Sequence, residues 1–372
     1  MIFRKYSEIE NTYNSKFVKE LREHGFDDPS IEYVCENKID GSNLQVSIDE
    51  NGHFNFGSRS QLYPTHSDFQ GSSACFLKER IKEKLFKLKD IIANNQKVID
   101  ILKERAGIDS TKEDIKTKFV LTVYGELCGG MYRHPDVEKV KGAIKIQGRV
   151  DYHPDNKFVP FDIVLRWPNG STIMYFDQDE VVELCKQVEL PYPIILFKGT
   201  FDECLNFPVE FIDKTGNILW GLPIIEKNIS EGIVIKPNKA MFRPNNERVI
   251  LKKKGEKFKE RISKNKEPKE VLPMNEVELK WFNTITEFVT ESRLMSVLSK
   301  IDCSKLNDKM FGLILGSFLK DLWNDFNKEY EQDIEKELSE NPEFNFDKVR
   351  KEASKYVSKF IQPHFLKLIG KA

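Results

Sequence analysis

Lys38-Ile39-Asp40-Gly41-Ser42-Asn43 stands between two segments, residues 31–36 and 44–48, whose apolar residues alternate and are partly β-branched. Alternation at period two predicts a strand on each side, and the small and polar residues between them predict a turn. A lysine at the edge of a turn is ordinary. A lysine that serves as a nucleophile is not, because its amine must lose its proton to attack, which neighbouring cations and partial burial favour. Which of the two Lys38 is depends on the charged residues that the rest of the chain brings to it.

Four further segments supply them. Phe56-Gly57-Ser58-Arg59-Ser60 follows a predicted strand at 53–57 with an arginine. Tyr124-Gly125-Glu126-Leu127 closes a predicted strand at 118–126 with a carboxylate. Ser230-Glu231-Gly232-Ile233-Val234-Ile235-Lys236 puts a carboxylate and a lysine at the two ends of one strand, 231–236. Val249-Ile250-Leu251-Lys252-Lys253-Lys254 puts Lys252 and Lys254 two residues apart, hence on one face of a strand. A strand at 158–166 adds Phe161 and Asp162. Each segment has an everyday explanation: Glu126 as an exposed carboxylate, Lys252 and Lys254 as a solvated edge, Phe161 as a core ring, Arg59 as a loop cation. Their occurrence together and in this order sets them apart.

The remaining pattern is mixed. Residues 1–28 suggest a short opening helix with Tyr13, Phe17 and Leu21 on its face, and residues 76–105 one long charged helix with the stripe Ile81, Leu85, Leu88 and Ile92. Strands interleaved irregularly with helices predict an α+β fold with antiparallel sheets rather than a βαβ repeat. Near 262–274 the chain turns polar and carries Pro268 and Pro273, a linker composition. Beyond it, Leu279, Phe282, Ile285 and Val289 share one helical face, and Val349, Ala353, Tyr356 and Phe360 another, in a helix expected to stop at Gln362 before Pro363. The expected organisation is a large domain at 1–262, a linker at 263–273 and a small helical domain at 274–372.

Composition narrows the class. The 372 residues include 27 Phe, 11 Tyr and 4 Trp, enough to fill a large core and to exclude a wholly disordered chain. No apolar run is long enough to span a bilayer. The six cysteines form no C-x-x-C pair, the six histidines are scattered, and the N-terminus has no apolar signal core, so an intracellular protein (cytoplasmic, or in a virus-infected host cell) is expected. Phosphate-binding G-x-x-x-x-G-K-[ST], dinucleotide G-x-G-x-x-G, H-E-x-x-H and G-x-S-x-G motifs are absent. The 58 Lys and Arg against 59 Asp and Glu hide a segregation: residues 248–269 carry 10 basic and 3 acidic residues, and residues 321–347 carry 2 and 10. A basic strip beginning at the Lys252–Lys254 strand suits a polynucleotide and a nucleoside triphosphate, and the acidic stretch suits a solvated helical face.

The order of these segments resembles that of the covalent nucleotidyltransferases, the ligases and capping enzymes. Lys38-Ile39-Asp40-Gly41 resembles motif I, Tyr124-Gly125-Glu126 motif III, Pro160-Phe161-Asp162 motif IIIa, Glu231 to Lys236 motif IV and Leu251 to Lys254 motif V. The opening, Phe3-Arg4-Lys5-Tyr6-Ser7-Glu8-Ile9-Glu10-Asn11 with Tyr13 to Phe17, is similar to that of the RNA ligase 2 family of bacteriophages, to which the kinetoplastid RNA-editing ligases also belong. Asn43, Gln147, Lys257-Phe258 and the tail near Gln362-Pro363 resemble that family too. Asp40 stands where it commonly has His, and residues 127–160 and 187–228 carry local insertions.

The resemblance implies an ATP-grasp-like nucleotidyltransferase domain followed by a small all-helical C-terminal domain. It implies an enzyme that uses ATP with Mg2+, or Mn2+ in its place, to join 3′-hydroxyl and 5′-phosphate RNA ends, chiefly nicks in duplex RNA, through a lysyl-AMP on Lys38. By the same resemblance Lys252, Lys254 and Arg59 meet phosphate oxygens, Glu126 the ribose hydroxyls, Phe161 the adenine and Lys236 a nucleotide phosphate, with Glu36 and Ile39 also in the nucleotide pocket. Glu231 and Asp162 are implied around the metal, and Asn43 in sealing. RNA is the partner; no membrane or protein partner is implied, and a monomer is expected. Alternatives are an ATP-dependent DNA ligase, a GTP-using capping guanylyltransferase, or a non-catalytic RNA-binding relative. The first two place a β-rich OB domain after motif V, where this chain has helical periodicity.

Overall fold

A computed structural model describes residues 2–64, 67–106, 117–258, 274–301, 307 and 310–369. The expected linker at 263–273 and the part of the basic strip beyond Phe258 lie outside the described residues. The chain divides into two compact units, Met1–Gly255 and Glu256–Ala372.

The first unit holds two sheets. Sheet A has strand order β1 (Glu10–Asn11), β11 (Leu251–Lys254), β10 (Gly232–Pro237), β2 (Tyr33–Asn37) and β9 (Ile195–Gly199). Sheet B runs β5 (Leu62–Tyr63), β4 (Phe54–Ser58), β3 (Ser42–Ile48), β6 (Val120–Met131), β7 (His153–Arg166) and β8 (Thr172–Tyr175). All pairs are antiparallel except β1 with β11. The turn at 38–41 thus passes the chain from one sheet to the other.

Alternation sorts the side chains of each sheet. On sheet A, Tyr33, Cys35, Ile233, Ile235, Val249 and Leu251 pack outward with Phe17 and Leu21 of α1 (Ser15–Glu23) and with Phe201 and Cys204 of the helix Phe201–Asn206. On sheet B, Leu44, Val46, Leu121, Val123 and Ile163 pack outward against helices that include α3 (Ile81–Ala93). The inner faces meet at a small apolar seam, in which Tyr6, Tyr124, Val164 and Ile250 are buried and Ile9, Phe161, Tyr175 and Val234 pack against them. The rest of those faces carries Glu36, Lys236, Asp162 and Glu126 in place of apolar residues, so a charged cleft opens where a continuous core would otherwise form.

Two expectations from periodicity change in the first unit. The helix expected over 76–105 is three: α2 (Ser72–Lys78), α3 and α4 (Gln96–Ala106). Arg80 interrupts it with a left-handed φ of 53°, and at Asn94 the side-chain amide donates to the Asp90 carbonyl at 2.7 Å, competing with the next helical turn. The stripe Ile81, Leu85, Leu88 and Ile92 is buried as its spacing required. Tyr13 lies before α1 and is exposed, while Asn14 caps the helix by accepting from the Phe17 N–H.

The second unit is helical over its described residues, with helices Glu276–Thr286, Glu291–Leu298, Phe311–Glu340 and Phe346–Leu368. The last continues through Pro363. Proline removes one rung of the ladder, but Val357, Ile361 and Phe365 stay buried on one stripe and carry the helix past it. Val349 and Ala353 belong to that stripe, whereas Tyr356 and Phe360 flank it half-buried. The acidic stretch is also partly internal: Asp321 and Asp325 bind the fully buried Arg293 at 2.6 and 2.9 Å. A buried guanidinium demands such partners.

Candidate active site

The turn after β2 is fixed from three sides. The Lys38 backbone N–H donates to the Gly232 carbonyl at 3.0 Å, and the Asp40 N–H donates to the Tyr152 hydroxyl at 2.7 Å. Arg149 holds the Asp40 carboxylate with Nε and Nη2, a paired geometry that orients as well as attracts. Gly41 lies so close to β6 that a Cβ there would collide with the Leu127 carbonyl. Gly232, at φ 143°, would drive a Cβ into the Lys253 carbonyl. These two glycines let the turn, β6, β10 and β11 approach closely.

Lys38 emerges from this turn with its side chain 18% exposed, enough for a ligand in the cleft to reach the amine. Its Nζ lies 2.6 Å from Glu231 Oε2, and Lys254 Nζ is 3.1 Å from Glu231 Oε1. Burial alone would raise the Glu231 pKa, but Lys38, then Lys254 and Arg149, hold it down at about 2. Asp40 is raised by burial and by Glu231, against Arg149 and Lys38. Glu126 is pushed up to about 8, chiefly by burial, with Lys38 opposing and Glu231 and Asp40 adding. Arg59, half-buried after β4, is within electrostatic reach of Glu126. Asn43 is the β6 partner of Glu126, and its buried Oδ1 has no hydrogen-bond donor among the described residues. Ile39 is buried in the turn. Lys252 stands opposite Val234, which stands opposite Glu36, so all three share the inner face with Lys254.

A second charged group lies in the same cleft. Lys236, 1% exposed, donates to the Phe161 carbonyl at 3.0 Å and lies 3.2 Å from Glu36 and 3.4 Å from Asp162. Arg248 reaches Asp162 at 3.1 Å, and the Tyr6 hydroxyl donates to the same carboxylate. Burial would raise Asp162, but Arg248 and Lys236 keep it below the usual range. Glu36 goes up to about 7 through burial, opposed by Lys236. The register of β6 and β7 shifts between the pairs Tyr124–Asp162 and Gly125–Pro160, leaving Phe161 as the extra residue. A bulge re-aims side chains, and here both Phe161 and Asp162 face the cleft; the Phe161 ring meets Tyr6 edge-on at 5.1 Å.

The geometry places three of the expected residues in two separate groups. Glu231 and Asp162 do not form a common pair, because Glu231 is held by Lys38 and Lys254, and Asp162 by Lys236, Arg248 and Tyr6. Among the described residues no cluster of three His, Cys, Asp or Glu side chains forms a ready cage for a metal. Lys236, expected at a nucleotide phosphate, binds the Phe161 carbonyl, Glu36 and Asp162 among the described residues and so braces the bulge. Arg149, Tyr152, Arg248 and Tyr6 complete the two groups and were not singled out by the sequence. For Arg248 a signal exists, since it continues the even spacing of Ile250, Lys252 and Lys254. Arg149 and Tyr152 follow an irregular stretch and have none.

Comparison with known proteins places the chain in a family. A sequence profile described as RNA ligase matches residues 31–254, and one described as T4 RNA ligase 2 C-terminal matches residues 273–362. RNA-editing ligase 2, mitochondrial, of Trypanosoma brucei brucei is 25% identical over 90% of this chain and 85% of its own length. RNA-editing ligase 1, mitochondrial, of the same organism is 26% identical over 63% of this chain, which spans half of that protein. A Naegleria gruberi RNA ligase solved with ATP and Mn has a TM-score of 0.40 at 15% identity, covering 68% of this chain and 57% of its own. With more than half of its length matched by the first profile and its helical unit by the second, the chain belongs to the RNA ligase family, in the RNA ligase 2 branch.

Proposed function

We propose that the protein is an ATP-dependent RNA ligase that seals 3′-hydroxyl and 5′-phosphate ends, preferentially at nicks in duplex RNA, through a covalent lysyl-AMP. The observation that carries this reading is Lys38, pinned by its turn at the mouth of a charged cleft, with Glu231 and Lys254 beside its amine and Glu126 buried close by.

The chemistry has three balanced steps. The Lys38 Nζ, as the free amine, attacks the α-phosphorus of ATP; an N–P bond forms, the nitrogen gives up a proton to solvent, the bond to the β-phosphate oxygen breaks, and pyrophosphate leaves. An RNA 5′-phosphate oxygen then attacks the adenylyl phosphorus, which breaks the N–P bond and restores Lys38. Finally the 3′-hydroxyl oxygen attacks the 5′-phosphate phosphorus; a phosphodiester bond forms, the anhydride bond to AMP breaks, the hydroxyl proton passes to solvent and AMP leaves. Such transfers rest on in-line placement and charge neutralisation. Lys252, Lys254 and Arg59 suit phosphate oxygens. Glu126 suits the ribose hydroxyls, which would donate to it once ionised. Phe161, braced by Lys236, suits a stack against adenine, and Glu36 and Ile39 are the further residues proposed for the nucleotide pocket. The Asn43 Oδ1, without a donor among the described residues, suits a hydroxyl donor in the sealing step. Magnesium carried on the triphosphate would neutralise charge there, with Glu231 as the chain's contribution.

Asp40 in place of the family's usual His keeps a DNA-joining activity in view. A sealing assay on nicked RNA, nicked DNA and the hybrids with each strand exchanged tests the substrate: sealing that requires RNA on the 3′-hydroxyl side supports the reading, and preferential sealing of nicked DNA overturns it. Adenylylation with ATP and none with GTP separates it from a capping enzyme.

A further inference from the structure

We propose that residues 139–149 form a docking strip for the RNA phosphate backbone, built on the same loop that positions the nucleophile's turn; this rests on the ligase reading above. The loop leaves β6 and returns in β7. It has two sides. Toward the site, Gln147 donates to the Gly41 carbonyl at 3.3 Å, Arg149 holds Asp40, and Tyr152 accepts from the Asp40 N–H. Gln147 does so from a left-handed backbone with φ 55°, a conformation that its surroundings must enforce. Toward solvent, Lys139, Lys141 and Lys145 are exposed. Residues 139–149 contain no Asp or Glu; the nearest acids in sequence are Asp136 and Glu138 on one side and Asp151 on the other, and Asp151 is taken by Arg133.

The strip is ordered by its own anchors. Asn156 accepts from the Ile144 N–H at 2.9 Å and donates to the Ile144 carbonyl at 2.6 Å. The Ile146 N–H donates to the Gly129 carbonyl at 3.0 Å, with its side chain buried. Cations on a fixed backbone lose less entropy on binding than cations on a free loop. At most roughly 14 Å of chain separates Lys145 from Arg149, about four nucleotides of duplex rise. Lys145 is therefore within a few nucleotides' span of the residue that holds the Lys38 turn, and this closeness to the site, with the unbroken positive charge, favours RNA over an acidic protein as the occupant.

The test uses the full chain with Lys139→Glu, Lys141→Glu and Lys145→Glu together, and a charge-matched control with Lys82→Glu, Lys87→Glu and Lys103→Glu on the outer helices. Affinity for a nicked duplex RNA is measured across a KCl series, beside self-adenylylation with labelled ATP. The strip variant is expected to keep its adenylylation rate, bind RNA at least tenfold more weakly than the control, and lose about 2–3 from the slope of log affinity against log salt. Equal affinity and slope in the two variants, with adenylylation intact, overturns the strip. Absence of adenylylation in the unaltered protein overturns the ligase reading instead. If the triple variant unfolds, the three Lys→Ala changes give the same comparison with a smaller slope change.

Discussion

Glu126→Gln isolates the least comfortable charge in the cleft. Burial holds the Glu126 carboxyl at about 8 where a free glutamate has 4.5. At 1.36 kcal/mol per pH unit, ionising it in the folded protein costs up to about 5 kcal/mol more than in the unfolded chain. Because the folded pKa is the higher one, the native state binds more protons between these values. The stability this group contributes is complete below about pH 4.5 and is lost as pH rises through 8. Glutamine fills the same space and does not titrate. The stability difference between Glu126→Gln and the unaltered protein should therefore grow in favour of the variant from pH 5 to pH 8.5, reaching several kcal/mol, with other titrations common to both. Urea unfolding at half-unit pH steps measures this. A difference that stays flat over that range would refute the argument. ATP binding near pH 7 should also release a proton that the variant does not release, which calorimetry in buffers of different ionisation enthalpy detects.

Other perturbations follow from the same contacts. Asp162→Leu leaves Lys236 and Arg248 buried without their common partner and should cost about 3–5 kcal/mol in urea unfolding; a change under 1 kcal/mol contradicts the bracing role. Gly41→Ala should push the turn off β6 and lower the self-adenylylation rate by about a hundredfold, the scale of a displacement near 1 Å, as single-turnover labelling would show. Arg293→Met removes the buried guanidinium that joins Asp321, Asp325 and the Phe288 carbonyl, and should lower the stability of the helical unit by about 1–3 kcal/mol; an unchanged melting profile contradicts this.

Much of the framework was legible because periodicity is local. Each strand that carries a site residue could be read from alternation, and Lys252 and Lys254 share the inner face as a spacing of two requires. The helix expected over 76–105 failed at Arg80 and Asn94, where backbone conformation and a side-chain bond interrupt a stripe that is otherwise continuous. Pro363 misled in the opposite sense, since burial of Ile361 and Phe365 outweighs one missing rung. Partnership was harder to read than position. The family resemblance places Asp162 and Glu231 around one metal, while their neighbours here, Arg248 and Tyr6 for Asp162 across the β7 bulge, come only from the fold. Arg149 and Asp40 are 109 residues apart in sequence, and only the fold of the intervening loop joins them.

The central claim is that Lys38 carries the adenylyl group. The full chain incubated with magnesium and ATP, then denatured and digested, should yield one peptide bearing AMP through an acid-labile phosphoramidate on Lys38, and Lys38→Ala should yield none. AMP found on another residue, or retained by Lys38→Ala, would contradict the account.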